Sequence, residues 1–409
     1  MKVFLAAGLM MVVLVGALVE KKVPGEDLTP ILTPVPMPDT GHAGEAFLAR
    51  TPDGTTIASW IERHDDTARM VVARRVDDQW SEPREIASGD NWFVNWADVP
   101  SVAVHDSGVM MAHWLERLGD ERYAYGVRFA LSHDDGDSWS EPAWLHADRS
   151  PTEHGFARIL PYEEGFMAVW LDGNGYATER REMAVHARTV SVDGVAGPEM
   201  VIDSRTCDCC PTELVGLPGG RVATIYRDRS DDELRDMSFS VFDGEGWSDP
   251  RPLHEDGWQI NACPVNGPAA DRSGESVAAA WFTMAAGSPE VWAGFVSSDG
   301  MDAVSDPVRF DEGRPAGRVA LRMEGPDTAL VLWMEGGSED EAGLYIRKVY
   351  RDGGMTEAFR VASTSTGRTV GYPRLEREGE GWLAVWTEPG QDSDDPSRLK
   401  ALHIEFESD

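Results

Sequence analysis

The stretch Phe166-Met167-Ala168-Val169-Trp170 is short, fully apolar and closed by a tryptophan, with Gly165 before it and Asp172-Gly173 just after it. An apolar run this brief between turn residues predicts a β-strand covered on both faces, since a buried helix would need roughly ten residues or more. Thr56-Ile57-Ala58-Ser59-Trp60 and Leu383-Ala384-Val385-Trp386 carry the same pattern. The closing aromatic recurs as Trp60, Trp114, Trp170, Tyr226, Trp281, Trp333 and Trp386, at intervals of roughly 54 residues. A strand candidate precedes each run, as in Pro100-Ser101-Val102-Ala103-Val104 and Gly155-Phe156-Ala157-Arg158-Ile159. Another follows it, as in Met70-Val71-Val72-Ala73 and Phe239-Ser240-Val241-Phe242. A fourth comes after Trp80-Ser81-Glu82-Pro83, Trp139-Ser140-Glu141-Pro142, Trp247-Ser248-Asp249-Pro250 and Val304-Ser305-Asp306-Pro307.

Short strands recurring in fours at a fixed period predict propeller blades, each too small to bury its faces until it stacks on its neighbours. The expected fold is therefore all-β, a seven-bladed β-propeller over residues 47–409, with a six-bladed ring as the alternative if one weak repeat is an insertion. The last triplet ends at Phe406, so its outer strand must come from elsewhere. Leu28-Thr29-Pro30-Ile31-Leu32-Thr33-Pro34-Val35, within a proline-rich linker at 20–46, is the candidate, and its prolines suit an edge strand.

Val3 to Val19 is an unbroken apolar run behind Lys2 and ahead of Glu20-Lys21-Lys22. Residues 1–19 are expected to direct export, as a signal peptide cleaved near Val15-Gly16-Ala17 or as a retained N-terminal anchor, which would be the chain's one tie to a membrane. Either places the remainder outside the cytoplasm, periplasmic or secreted. The net charge of −34 repels phosphate backbones and anionic lipid, so nucleic acid and membrane surfaces are excluded as partners. Lysine occurs only at Lys2, Lys21, Lys22, Lys348 and Lys400, so nearly all later cations are arginine.

In a propeller the turns leading into the innermost strands and out of the second strands share one face, where ligands usually bind. The inward turns supply His42 and Glu45; Asn95, Trp96 and Asp98; His154 and Arg158; Cys207 to Cys210; Asn261 and Cys263; Arg314 and Arg318; Tyr372 and Arg374. Two residues beyond each repeating aromatic stand Glu62, Glu116, Asp172, Asp228, Thr283, Glu335 and Glu388, a near-complete ring of carboxylates. Its structural reading pairs each acid with an arginine such as Arg63, Arg117, Arg227 or Arg229, or with backbone N–H groups. Its functional reading is a charged mouth for a sugar or a cation, with Arg227, Asp228, Glu62, Glu116 and Asp172 as substrate-binding candidates.

Ser132-His133-Asp134-Asp135-Gly136-Asp137-Ser138-Trp139 fits S-x-D-x-G-x-x-W and resembles the Asp-box of the sialidase (neuraminidase) superfamily of BNR-repeat propellers. Asp243-Gly244-Glu245-Gly246-Trp247 and Ser297-Ser298-Asp299-Gly300 look like worn copies. Such boxes sit on outer turns, so the likeness speaks to fold rather than activity. A narrower resemblance over 205–283 joins Cys-Asp-Cys-Cys-Pro-Thr, Tyr226-Arg227-Asp228-Arg229-Ser230, Leu234-Arg235-Asp236 and Asn261-Ala262-Cys263-Pro264-Val265-Asn266-Gly267-Pro268 to exported bacterial sialidase-like proteins. A sialidase mechanism would need an arginine clamp, an activated tyrosine and a separate acid. The resemblance implies Arg158, Arg374 and either Arg318 or Arg314 for the clamp, Tyr372 as nucleophile, and Asp98 or Glu45 as acid. The superfamily's Arg-Ile-Pro signature is missing from the first blade, and Arg158-Ile159-Leu160-Pro161 in the third imitates it only poorly.

All four cysteines, Cys207, Cys209, Cys210 and Cys263, are expected to meet in space across the fourth and fifth repeats. Three chemistries stay open. Disulfides fit an oxidising compartment, with Cys207 or Cys210 as the expected partner of Cys263. A thiolate set could hold Cu(I) or Zn(II), with His254 and His154 as extra ligands. A thiol redox role is the third. The functional expectation is glycan-directed binding or glycoside hydrolysis on the axial face, a small glycan being the partner. The alternative is metal handling, or a non-catalytic scaffold, centred on the cysteines.

Overall fold

The computed structural model describes residues 29–38, 41–178, 181–336, 342–390 and 395–406. The expected export segment at 1–19 lies outside them. Seven antiparallel sheets follow one another along the chain; in six of them the strands run in sequence order from the axis outward, and the seventh is completed by a strand from the start of the described chain. The innermost strands are His42–Arg50, Ser101–Val104, His154–Tyr162, Glu213–Leu217, Ala269–Ser273, Pro315–Gly325 and Arg374–Glu378. Every repeating aromatic lies on the second strand of its blade, buried on both sides. The ring has seven blades, not six.

Outer strands are brief where the Ser-Glu/Asp-Pro signals fall: Ala143–Trp144, Arg251–Pro252 and Val308–Arg309 follow directly on Pro142, Pro250 and Pro307. The seventh blade takes its outer strand from Pro30–Val35, which pairs antiparallel with Arg398–Phe406 in the register Pro30↔Phe406 to Val35↔Ala401. The first blade begins at His42, upstream of residue 47.

Stability resides between blades. Seven apolar clusters occur, one at each interface; the cluster joining the second and third blades, for instance, packs Met111, Val127 and Phe129 against Ile159, Phe166 and Trp170. A blade buries little on its own, so closing the circle completes the core. The segment Ser132–Trp139 is a tight turn: Ser132 Oγ accepts from Gly136 N at 2.9 Å, and Asp134 Oδ1 accepts from Ser138 N at 2.9 Å. Asp135 and Gly136 both take positive φ there.

The ring of acids is explained by the tryptophans. Residues i and i+2 of a strand share a face, and the acid accepts the indole N–H of its own blade: Trp60 to Glu62 (3.1 Å), Trp170 to Asp172 (2.8 Å), Trp333 to Glu335 (2.6 Å) and Trp386 to Glu388 (3.2 Å). Where Thr283 replaces the acid, Trp281 donates instead to Asp256 at 2.9 Å. In the fourth blade Tyr226 donates to Asp203, and Asp228 accepts from Ser238 at 3.0 Å. Glu116 faces Arg128 at 3.6 Å. Indoles are thus added to the anticipated partners rather than replacing them: Glu62 also accepts from Arg69 at 2.9 Å, and Asp172 and Asp228 also accept the backbone N–H groups of Asn174 and Arg229. Glu335 also accepts the backbone N–H groups of Arg314 and Glu312. Glu335→Ala therefore strands the buried indole N–H of Trp333 and two partly buried backbone donors, and is expected to lower stability by about 2 kcal/mol, read from urea unfolding.

Candidate functional site

At the axis, the seven innermost strands and the turns just before them enclose a cavity of about 40 Å³, whose wall includes Phe47, Asp98, Arg158, Glu213, Tyr372 and Arg374. Four of the seven candidates for a sialidase-type centre, Tyr372, Arg374, Arg158 and Asp98, are thereby brought together. Farther along the axis a space of about 400 Å³ is edged by Arg50, Asp271, Arg322, Glu376 and Arg377. On the turn-bearing face a groove of about 240 Å³ lies among His42, Glu45, Arg63, Asn95, Trp96 and Arg368. Groove and cavity share the turn Trp96-Ala97-Asp98.

Three innermost strands enter the axis through the same backbone device. Gly44-Glu45, Gly155-Phe156 and Gly317-Arg318 each place a non-glycine residue at φ 51 directly after a glycine, and the strand register shifts at each. Such bulges re-aim a side chain. Gly155 is needed for a second reason, since a Cβ there would lie 2.1 Å from Asp98 Oδ2.

The charges around the axis are not equivalent. Arg158 forms a two-pronged pair with Glu213 across the third and fourth blades, both contacts at 2.7 Å. Arg322 pairs with Glu376 at 3.0 Å between the sixth and seventh. Arg374 differs: its guanidinium lies 5.1 Å from the Phe47 ring centre and 5.8 Å from that of Tyr372. It makes no hydrogen bond or ion pair among the described residues, and its Nε is buried without a partner. Burial, with Arg158 close by, pulls its pKa down to about 9.

Arg318 and Arg227 are tied to backbone. Arg318 donates to the carbonyls of Thr366, Gly367 and Gly371 and lies 4.6 Å from the Trp96 ring centre. Arg227 donates to the carbonyls of Arg235, Asn266 and Phe282. Both hold turns of the face in place. The Tyr372 hydroxyl donates to Val265 O at 2.7 Å, and burial pushes its pKa up. Glu45, the other candidate acid, is paired with Arg63 at 2.7 Å.

Asp98 belongs to a trio that the turn-by-turn sequence reading missed. The Tyr125 hydroxyl lies 2.9 Å from Asp98 Oδ2 and 2.8 Å from Glu153 Oε1. A phenol has one proton to donate, so both contacts are hydrogen bonds only when one carboxyl is protonated and donates to the phenol oxygen. The electrostatics agree: burial raises Asp98 to about 7 and Glu153 to about 8.

The cysteine loop corrects one expectation. Cys263 is bonded to Cys209, with Cα atoms 6.1 Å apart, and not to Cys207 or Cys210. Asp208 and Cys209 form the corner of a turn, which leaves Cys207 and Cys210 on one side with sulfurs 3.6 Å apart and sends Cys209 towards the fifth blade. Both free thiols are buried. Arg235 Nη1 lies 3.3 Å from Cys207 Sγ. In this covalent state two thiols remain, a set that suits a two-coordinate soft ion such as Cu(I) better than four-coordinate zinc. The additional histidines are engaged elsewhere: His254 with Asp256 at 2.7 Å, and His154 with Asp172 at 3.1 Å.

No family model and no curated protein sequence matches the chain. Solved structures do. A protein of unknown function from Dyadobacter fermentans aligns with a TM-score of 0.56 and 11% identity over 94% of this chain and 100% of that one. An α-L-arabinofuranosidase from Fusarium graminearum, in complex with an iminosugar inhibitor, aligns at 0.52 and 10% over 79% and 98%. A polysaccharide lyase aligns at 0.51 and 10% over 89% and 90%. The chain shares its fold with these propellers. Sialidases are among the matches as well. At such identities the likeness concerns the fold alone.

Proposed function

We propose that the turn-bearing axial face is a glycan-directed site which binds an acidic sugar through Arg374 and does not hydrolyse it. The observation that carries this reading is the guanidinium left over: Arg158 and Arg322 are neutralised by Glu213 and Glu376, whereas Arg374 makes no hydrogen bond or ion pair among the described residues and its buried Nε has no acceptor. A half-buried cation whose Nε has no acceptor is stabilised when an anion joins it. Size selects the anion. About 40 Å³ admits a carboxylate or a water or so, not a sugar ring, so the ring would remain in the adjoining groove beside Trp96 and Asn95. The fold's occurrence in an arabinofuranosidase and a polysaccharide lyase agrees with a glycan as the ligand. Hydrolysis through Tyr372 is disfavoured because its hydroxyl donates to a carbonyl and, among the described residues, to no carboxylate.

Calorimetric titration with sialyllactose and galacturonate oligomers, against neutral lactose, tests the reading. The acidic sugars are expected to bind at least tenfold more tightly than the neutral one, and Arg374→Ala to abolish the difference. Equal binding of neutral and acidic sugars, or an unchanged Arg374→Ala variant, would sink it.

A location outside the cytoplasm belongs to the same proposal and is supported by the Cys209–Cys263 bond. No helix of the described residues is long and apolar enough to cross a membrane. A second reading, capture of a soft monovalent metal ion, is favoured by the proximity of Cys207 and Cys210.

A further inference from the structure

We propose that the four cysteines form a thiol–disulfide relay, in which the buried Cys207/Cys210 pair passes two electrons to the solvent-facing Cys209–Cys263 bond. Geometry supports every transfer. The sulfurs of Cys207, Cys209 and Cys210 all lie within 4.8 Å of one another, so each can reach the next without the chain unfolding. Burial is graded in the right order: Cys207 and Cys210 are sealed in, Cys209 is half-buried and Cys263 is exposed. A purely structural cross-link needs no reduced pair behind it, and a packed pair of thiols needs no route to solvent. Both are present here in one turn.

The roles differ between the two thiols. Arg235 Nη1 donates to Cys207 Sγ at 3.3 Å, a contact with a cation that favours a thiolate on Cys207. Cys207 is therefore the attacking sulfur. Its thiolate bonds to Cys209 sulfur as the Cys209–Cys263 bond breaks, and Cys263 leaves as a thiolate that takes a proton from water. Cys210 then bonds to Cys207 sulfur, its proton passing to the departing Cys209. One disulfide has replaced another, so no outside oxidant is consumed, and the two electrons now reside on the exposed pair. An external small-molecule disulfide can accept them there, regenerating Cys209–Cys263 and leaving both bonds formed. The relay is independent of sugar binding at Arg374.

The test is disulfide mapping by mass spectrometry. Protein is equilibrated in glutathione buffers of graded potential, quenched in acid and alkylated. The species carrying a single disulfide is expected to contain both the 209–263 and the 207–210 pairings. Cys210→Ser blocks the second transfer and is expected to give a mixture of 209–263 and 207–209 instead. Cys263→Ser, which removes the exposed leaving group, is expected to form the 207–209 bond with oxidised glutathione. A single-disulfide species that is 209–263 alone at every potential, with neither variant yielding 207–209, would overturn the relay. So would elemental analysis finding one copper or zinc per chain held by Cys207 and Cys210 in the protein as purified.

Discussion

A chain lacking residues 29–38 is expected to melt at a much lower temperature than the full chain and to aggregate on heating. Pro30–Val35 supplies the outermost strand of the seventh blade, pairing residue by residue from Phe406 back to Ala401. Val35 is also buried in the apolar cluster between the seventh and first blades. Its removal leaves Arg398–Phe406 as a bare edge, open to pairing with another chain. At about 1 kcal/mol for each ladder hydrogen bond, plus the lost burial and less the entropy regained, the net loss is several kcal/mol. That is a large share of the 5–15 kcal/mol typical of folded domains. Pro30 and Pro34 fall at alternate positions of the strand, so both missing N–H groups lie on one side. The outer side is where no ladder is lost, and there the prolines also discourage a further strand. Differential scanning calorimetry with size-exclusion chromatography checks this. An unchanged melting temperature and a monomeric elution would show that the circle is not closed by this strand.

The ring was legible because its cause is repetitive. One buried aromatic on the second strand of every blade faces the same packing problem, so Trp60 through Trp386 mark the period even where turns and outer strands have diverged. The acids after them were equally visible but ambiguous. Only coordinates distinguish a carboxylate aimed at the axis from one that caps the indole two residues earlier, since both satisfy the same spacing. Thr283 is the instructive exception: the indole of Trp281 found Asp256 from a loop, which no strand periodicity would disclose.

The candidate site was legible in part, and the losses have physical reasons. Arg158 and Arg374 occupy equivalent positions in their repeats, yet one meets Glu213 and the other lies against the rings of Phe47 and Tyr372 with no carboxylate among the described residues, because the pairing depends on the neighbouring blade. Tyr125 stands at the start of a third strand, outside the turns that open onto the axis, and Glu153, in such a turn beside His154, gains its meaning only from that phenol. A signal for them did exist. Gly155 next to Phe156 repeats Gly44-Glu45 and Gly317-Arg318, and a glycine recurring just inside the first strand marks a place where something approaches the backbone closely. In the cysteine loop, Cys209 was set aside in favour of its neighbours. The turn at Asp208-Cys209 reverses that choice by placing residues three apart on one side and the residue between them on the other.

Raising the pH from about 4 to about 8 is expected to destabilise the wild type markedly more than a variant carrying Asp98→Asn and Glu153→Gln. Both carboxyls have folded pKa values raised by burial, to about 7 and about 8. Below pH 4 both are protonated whether the chain is folded or not, and their contribution to stability is complete. As the pH rises through the ordinary carboxylate range the unfolded chain ionises them and the folded chain does not, so the unfolded state gains about 1.4 kcal/mol per pH unit for each group. The loss ends once the folded pair has ionised, above about pH 8. Because they meet at a single phenol, the two titrate as a pair rather than singly. Amides cannot ionise and can still accept from Tyr125, so the variant should lack this slope. The chain's other acids act on both proteins alike, and the difference between the two urea-midpoint curves over this range isolates the trio. Parallel curves would mean that Asp98 and Glu153 are ionised in the folded state at neutral pH. A divergence closing near pH 4 would mean that the cavity beside Arg374 holds a neutral carboxyl at neutral pH, able to donate to an anionic ligand where a carboxylate would repel it.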